Sequence, residues 1–420
     1  MSKHMQESDG SQNTRTTFRY ELLRASTAGI LETAGSTFLL TIALKEFHAG
    51  AVAKALVAGS GSVGLLLSPV VVSSVTHFGW KTGQAAARIL AFGALCFGLA
   101  AVLPGLPIFV VCSLLAMTTS SAIIPLLTQM YQENYPEAVR GRLFSRTVMV
   151  RIAAAALFSK VAGDALDGRI EYYWTLLLCF AGALGLAGFC LSRCPTRPIP
   201  HHGGGSHPFR AMRFARDDLL FRRTLICWML MGFANLMMLP LRVEYLANPQ
   251  NQPGRQAATV ATIALLTGVI PHGARLVMSP IWGHLFDRMN FFALRVTLNV
   301  GFALGILTFF TTNSMPGMIV GAIIFGISNA GSDVAWSLWV TKFAPPGRVA
   351  DYMSVHTFLT GVRGVLAPFA AFIGVNHYAP STLAAISAAL IGAATLLLVP
   401  EIKFGRKARP STALVEEVSE

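Results

Sequence analysis

Along the 420 residues, apolar runs close to 20 residues long alternate with short polar punctuation. A helix that crosses a hydrocarbon core about 30 Å thick needs a run of that length. The pattern predicts twelve such spans, near residues 27–47, 52–76, 86–104, 106–130, 143–166, 172–192, 224–246, 258–285, 291–312, 316–342, 351–376 and 379–400. The polar interruptions also mark larger units. Residues 1–25 form a polar tail and 26–192 a first six-span bundle. Residues 193–223 form a linker, 224–400 a second bundle and 401–420 a second tail. The fold class expected is an all-α polytopic membrane protein of twelve transmembrane helices in two six-helix bundles.

Composition strengthens this picture. The chain is 53% hydrophobic and 13% charged, with mean hydropathy +0.56. Soluble domains carry about 25% charged residues, so this chain lacks the charge to cover a soluble surface of its size. The first 25 residues have no apolar centre of the kind a cleavable signal peptide carries. The six cysteines fall in or beside apolar spans without a disulfide framework. Cys190 and Cys194, one turn apart, supply too few ligands for a closed zinc site.

The net charge of +13 is a matter of topology rather than of nucleic-acid binding. On the predicted spans, 24 of the 33 Lys and Arg residues fall on the side of the termini, 5 on the opposite side and 4 within spans. The positive-inside rule then places both termini in the cytoplasm of a cell-membrane protein. The linker RCPTRPIPHHGGGSHPFRAMRFARDDLLFRR begins Pro- and Gly-rich and ends as a basic amphipathic surface helix.

The halves repeat with an offset of about 210 residues, the internal symmetry from which transporters are built. Ser68-Pro69 matches Ser279-Pro280, and Pro136 matches Pro345. After the second Ser-Pro pair comes GHLFDRMNFFALR, with Gly283, Asp287 and Arg288; the first copy reads VSSVTHFGWK. These residues resemble the major facilitator superfamily, whose loop between spans two and three, repeated between eight and nine, reads G-x-x-x-D-R/K-x-G-R/K-R/K. The second copy has Asn290 in place of the later glycine. The first keeps Gly79 and Lys81 but has Val72, Thr76 and His77 where Gly, Asp and Arg stand in the family.

The resemblance implies a carrier that works by alternating access, with spans one, four, seven and ten lining the path. It also implies a conformational latch. Gly283 would allow close helix approach and Asp287 would face the start of span eleven, with Arg288, Arg140 and Arg142 beside it. The basic cluster is equally explained by topology. Span five lacks the Gly-Pro pair of the family's drug–proton antiporters.

Ionisable residues within spans are costly and face a cavity or a partner. The candidates are Glu32 in span one, Arg151 in span five, His272 and Arg275 in span eight, Asp333 in span ten, and His356 and Arg363 in span eleven. Lys160 is near enough to its span's end to snorkel. Arg275 and Arg363 are the deepest. Two arrangements are open. Arg275 and Arg363 bind an anionic group on the solute, with Asn329 and Trp336 completing the wall and Glu32, Asp333 or His356 carrying a proton. Alternatively Asp333 neutralises one of the arginines as a structural pair.

The expected partners are a small-molecule solute, protons in the first arrangement, and the lipid bilayer; a monomer is expected. The chain lacks an Asp cluster for diphosphate and metal, an HExxH motif and a P-loop. The expectation is therefore a non-enzymatic secondary transporter without cofactor, with a transporter-like receptor as the alternative.

Overall fold

The computed structural model describes residues 2–198, 212–248, 257–312, 314–338 and 349–404. Among them the secondary structure is helical, with one isolated bridge between Lys81 and Pro198 and no strand. Twelve helical rods account for the predicted spans. Spans one to six are Gln12–Lys45, Ala51–His77, Thr82–Val102, Leu106–Asn134, Glu137–Ala165 and Ile170–Arg193. Spans seven to twelve are Leu219–Ala247, Val260–Phe286, Phe291–Thr311, Met315–Leu338, Val349–Gly374 and Pro380–Phe404. Eleven are long and apolar enough to cross a bilayer on their own composition. Span five falls short because Arg146, Arg151, Lys160 and Asp164 interrupt it. It needs polar partners inside the protein.

Burial divides the rods into two cores. One is built around Phe38, Phe97, Phe109, Phe180 and Leu184 of the first half. The other gathers Phe221, Trp228, Phe302, Phe309 and Phe372 of the second. Outward faces carry large apolar side chains such as Leu95, Leu157, Val277 and Leu396, as a lipid-facing surface requires. A short linker helix, Met212–Asp217, precedes span seven. Its Phe214 stacks on Tyr352 at the start of span eleven with ring centroids 5.0 Å apart.

Three rods are broken where the sequence dictates. Span four is interrupted at Ile123, ahead of Pro125, which has no N–H to return to the preceding turn. In span eight, Pro271 likewise withholds a donor, and the turn before it, Leu265–Val269, widens into a π-helix. Span one has a matching π-turn, Ala34–Phe38, at its Gly35-Ser36 pair. The two π-turns face each other, and Thr37 Oγ1 lies 3.0 Å from Thr267 Oγ1.

The two halves meet unevenly. Among the described residues, the hydrogen bonds and ion pairs joining them run from Glu32–Arg275 toward the side away from the termini. There Lys54 Nζ pairs with Glu244 at 2.8 Å, and Asp167 Oδ1 accepts from the Ala261 N–H at 3.2 Å. Nearer the termini the polar pairs stay within one half: Arg24 with Glu21, Arg223 with Glu401, Tyr352 with Asp218. Among the described residues, the polar contacts between the halves therefore lie at mid-membrane and on the far side.

Close helix approach depends on small residues, as expected between membrane helices. A Cβ at Gly64 would strike the Thr118 carbonyl and lie 2.8 Å from the Ser121 Cβ, so span two cannot sit against span four with anything larger. Gly64→Val should destabilise the purified protein by about 1–3 kcal/mol, the usual cost of overpacking, read as a lower thermal midpoint. Gly98→Ala, with open space around its Cβ position, should leave the midpoint unchanged.

Candidate functional site

At the middle of the half–half contact lies a chain of four charges. Arg275, 3% exposed in its side chain, donates from Nε to Asp333 Oδ2 at 2.5 Å and from a terminal nitrogen to Glu32 Oε1. Glu32 uses its second oxygen toward Arg151 Nε at 3.3 Å. Two guanidinium groups and two carboxylates balance. The chain begins on span five, crosses to span one, passes into the second half at span eight and ends on span ten.

Local sequence explains how these groups meet. Gly29 is pressed against span five so closely that a Cβ there would strike the Arg151 carbonyl and lie 2.9 Å from the Ala154 Cβ. Glu32 follows three residues later, on the face turned to Arg151. Across the interface, a Cβ at Gly326 would lie 2.9 Å from the Ala274 Cβ, which draws span ten onto span eight. Asp333 follows two turns further on, beside Arg275. Ser279 donates its hydroxyl to the Arg275 carbonyl at 2.6 Å, one turn back along span eight. His272, 6% exposed, sits one turn before Arg275 with neither ring nitrogen hydrogen-bonded.

Beside this chain the halves enclose a cavity of about 290 Å³. Its wall combines small and hydroxylated residues (Gly35, Ser36, Ala58, Ser60, Gly61, Ser62, Ser121) with the larger apolar Leu65, Met117, Ile124, Leu239 and Trp336. Gly35 and Ser36 follow Glu32 by three and four residues, and Trp336 follows Asp333 by three. Helical spacing thus sets both carboxylates next to the cavity, and both side chains keep about a third of their surface exposed.

Of the two arrangements left open by the sequence, Asp333 pairing with Arg275 is the one formed in this state. Arg363 departs from expectation. Its guanidinium turns into the second half, where it donates to the Trp228 carbonyl, and it is not part of the cavity wall. Asn329, half-buried one turn before Asp333, is also outside that wall. His356 is fully buried between Trp228 and Trp336, with ring centroids at 5.2 and 5.7 Å. Trp336 is part of the cavity wall.

Around the latch, Arg288 and Arg142 are exposed. Among the described residues, Gly283 has nothing within 4 Å of a Cβ position. The side chains of Asp287 and Arg140, and residues 339–348 ahead of span eleven, lie outside the described residues.

Several buried charges escaped sequence reasoning because they stand near span ends, where they read as loop cations. Arg295 is in the second turn of span nine and 1% exposed; Lys54 and Arg242 are 7% and 4% exposed. Arg295 lies on span nine, which carries none of the candidates named from the sequence. A Glu near the opposite end of another span, here Glu244 for Lys54, was the available signal.

Comparison with known proteins agrees with this architecture. The Major Facilitator Superfamily profile matches residues 25–368. No curated protein matches the chain by sequence. Among solved structures, a point mutant of the nucleoside transporter NupG superposes with a TM-score of 0.73 at 13% identity, covering 92% of this chain and 99% of that one. A D-xylose-proton symporter superposes with a TM-score of 0.65 at 15% identity, covering 93% and 97%. A POT family transporter superposes at 0.69 and 12%, covering 95% and 97%. With a twelve-helix, two-bundle fold, a cavity between the halves and a family match over most of its length, this chain belongs to the Major Facilitator Superfamily and is a membrane transporter rather than an enzyme.

Proposed function

We propose that this chain is a secondary transporter that carries a small, uncharged, hydroxyl-bearing organic solute by alternating access, coupled to proton movement at Glu32 and Asp333. The cavity wall carries the reading. Its serine hydroxyls both donate and accept hydrogen bonds, and Trp336 offers a flat apolar face. The lining carries no unbalanced cation to hold an anion, since Arg275 is shared between two carboxylates and Arg363 is turned away. A volume of about 290 Å³ sits at the small end of the ~300–1,000 Å³ typical of ligand sites. Fold neighbours named for a nucleoside and for D-xylose are consistent with such solutes.

The coupling follows from the charge chain. While both carboxylates are ionised, Arg275 ties span eight to span one and holds the halves together at mid-membrane. A proton on Glu32 cancels its charge and loosens that tie, and Arg275 keeps Asp333 as its remaining partner within the second half. Proton uptake thereby favours separation on the far side. In this reading both termini are cytoplasmic, the chain acts as a monomer, and the present state is open to the cytoplasm. Asp287 and Arg288, with Arg140 and Arg142, form the latch of the opposite state, and Gly283 leaves room around it.

Proteoliposomes carrying the purified protein test the proposal. Wild-type protein should accumulate a radiolabelled sugar or nucleoside from a neutral-solute panel when a pH gradient is imposed. Trp336→Ala should cut that uptake about tenfold, equivalent to ~1.4 kcal/mol. Asp333→Asn should retain solute exchange without a gradient and lose gradient-driven accumulation. Transport of organic anions alone would overturn the solute class. Accumulation indifferent to pH gradients of either sign would overturn the coupling, and binding without net movement would leave a receptor.

A further inference from the structure

The second half holds a cluster of cationic groups that the transport path does not use. The Arg295 guanidinium lies flat over the Trp228 ring, 3.7 Å from its centroid, and its two terminal nitrogens have no hydrogen-bond partner. Arg363 donates to the Trp228 backbone carbonyl with one terminal nitrogen, and its Nε is likewise without a partner. Arg295 is 1% exposed and Arg363 9%. His356, fully buried, stands edge-on to the same indole.

The surroundings do not neutralise this charge. Among the described residues no carboxylate forms an ion pair with Arg295 or Arg363. The described carboxylates Glu401 and Asp218 of the adjoining segments are committed elsewhere. Glu401 takes Arg223 at 2.9 Å, while Asp218 accepts the Tyr352 hydroxyl and the Phe221 N–H. Space for the arginine is nevertheless built in. A Cβ at Gly232, one turn after Trp228, would coincide with the Arg363 guanidinium. Two buried guanidinium groups meet the same residue, Arg295 at its indole face and Arg363 at its backbone carbonyl, and their unmet donors are what a bound anion satisfies.

We propose that Arg295 and Arg363 hold a compact inorganic anion, a halide or small oxyanion, against Trp228 inside the second bundle. The anion is a resident of the bundle and not the transported solute, because the cluster lies behind Trp336 and outside the cavity wall. Arg295 stands four residues into span nine, about 6 Å of helix rise from its terminal-side end, so the site fills from that side.

The test uses the full chain in detergent, free of transport assays, so its outcome is independent of the solute assigned above. Thermal midpoints are measured at constant ionic strength while gluconate is replaced by chloride, and separately by inorganic phosphate. The wild-type midpoint should rise and saturate, by about 2 °C or more, in at least one series. Arg295→Gln and Arg363→Gln should each abolish that rise, whereas Arg242→Gln should keep it; Arg242 is buried against Phe325 away from the cluster. Calorimetric titration of wild-type protein with the same salts supplies a readout that needs no variant. A wild-type midpoint and heat indifferent to both anions, or a rise that survives in Arg295→Gln and Arg363→Gln, would overturn the proposal.

Discussion

Arg275 is 3% exposed at mid-membrane, where a charge is costly unless it is paired. Its charge must be met by carboxylates within the protein, and the fold supplies one from each half. Breaking a buried ion pair by removing one partner typically costs ~3–5 kcal/mol, so the position of span eight relative to spans one and ten is set by this requirement. Much else in the structure serves it. Gly29 and Gly326 let the helices come close enough, and the two π-turns shift the registers of spans one and eight around the contact. Span five, too polar to stand alone in lipid, contributes Arg151 to balance Glu32.

The same requirement links packing to motion. A half–half contact made of apolar surface alone has no groups whose protonation could alter it. An ion pair at mid-membrane is different, because one proton changes its strength. The contacts beyond it, Thr37–Thr267 and Lys54–Glu244, would have to part for the far side to open under the proposed function. Glu32 and Asp333 flank the cavity through residues one turn away, so under the proposed function a solute there and a proton on either carboxylate would act on the same few helical turns.

Much of the architecture was legible in the sequence because a bilayer reduces the problem to run length. Twelve rods, two halves and a linker follow from hydropathy, and the Ser-Pro pairs and the 283–288 loop pointed to the family. The charges at mid-span were also legible. Glu32, Arg275 and Asp333 stand in apolar company where no snorkelling can rescue them, and the structure brings all three together with Arg151. What could not be read was direction. Hydropathy gives depth but not the face of the helix, so Arg363, as deep as Arg275, was expected beside the cavity and turns into the second bundle instead. Charges near span ends were hidden for the opposite reason. Arg295, Lys54 and Arg242 sit where loop cations are normal, and only the packing of neighbouring helices buries them. The π-turns were invisible because Gly35-Ser36 and Pro271 are compatible with several local distortions.

The account rests on Glu32 and Arg275 being one energetic unit across the two halves. A double-mutant cycle on the unfolding of the purified protein, using Glu32→Gln, Arg275→Gln and the pair, measures this directly. The account predicts that the double variant is less destabilised than the sum of the singles, with a coupling of about 1–3 kcal/mol. Additive effects within about 0.3–0.5 kcal/mol, the behaviour of independent sites, would contradict it.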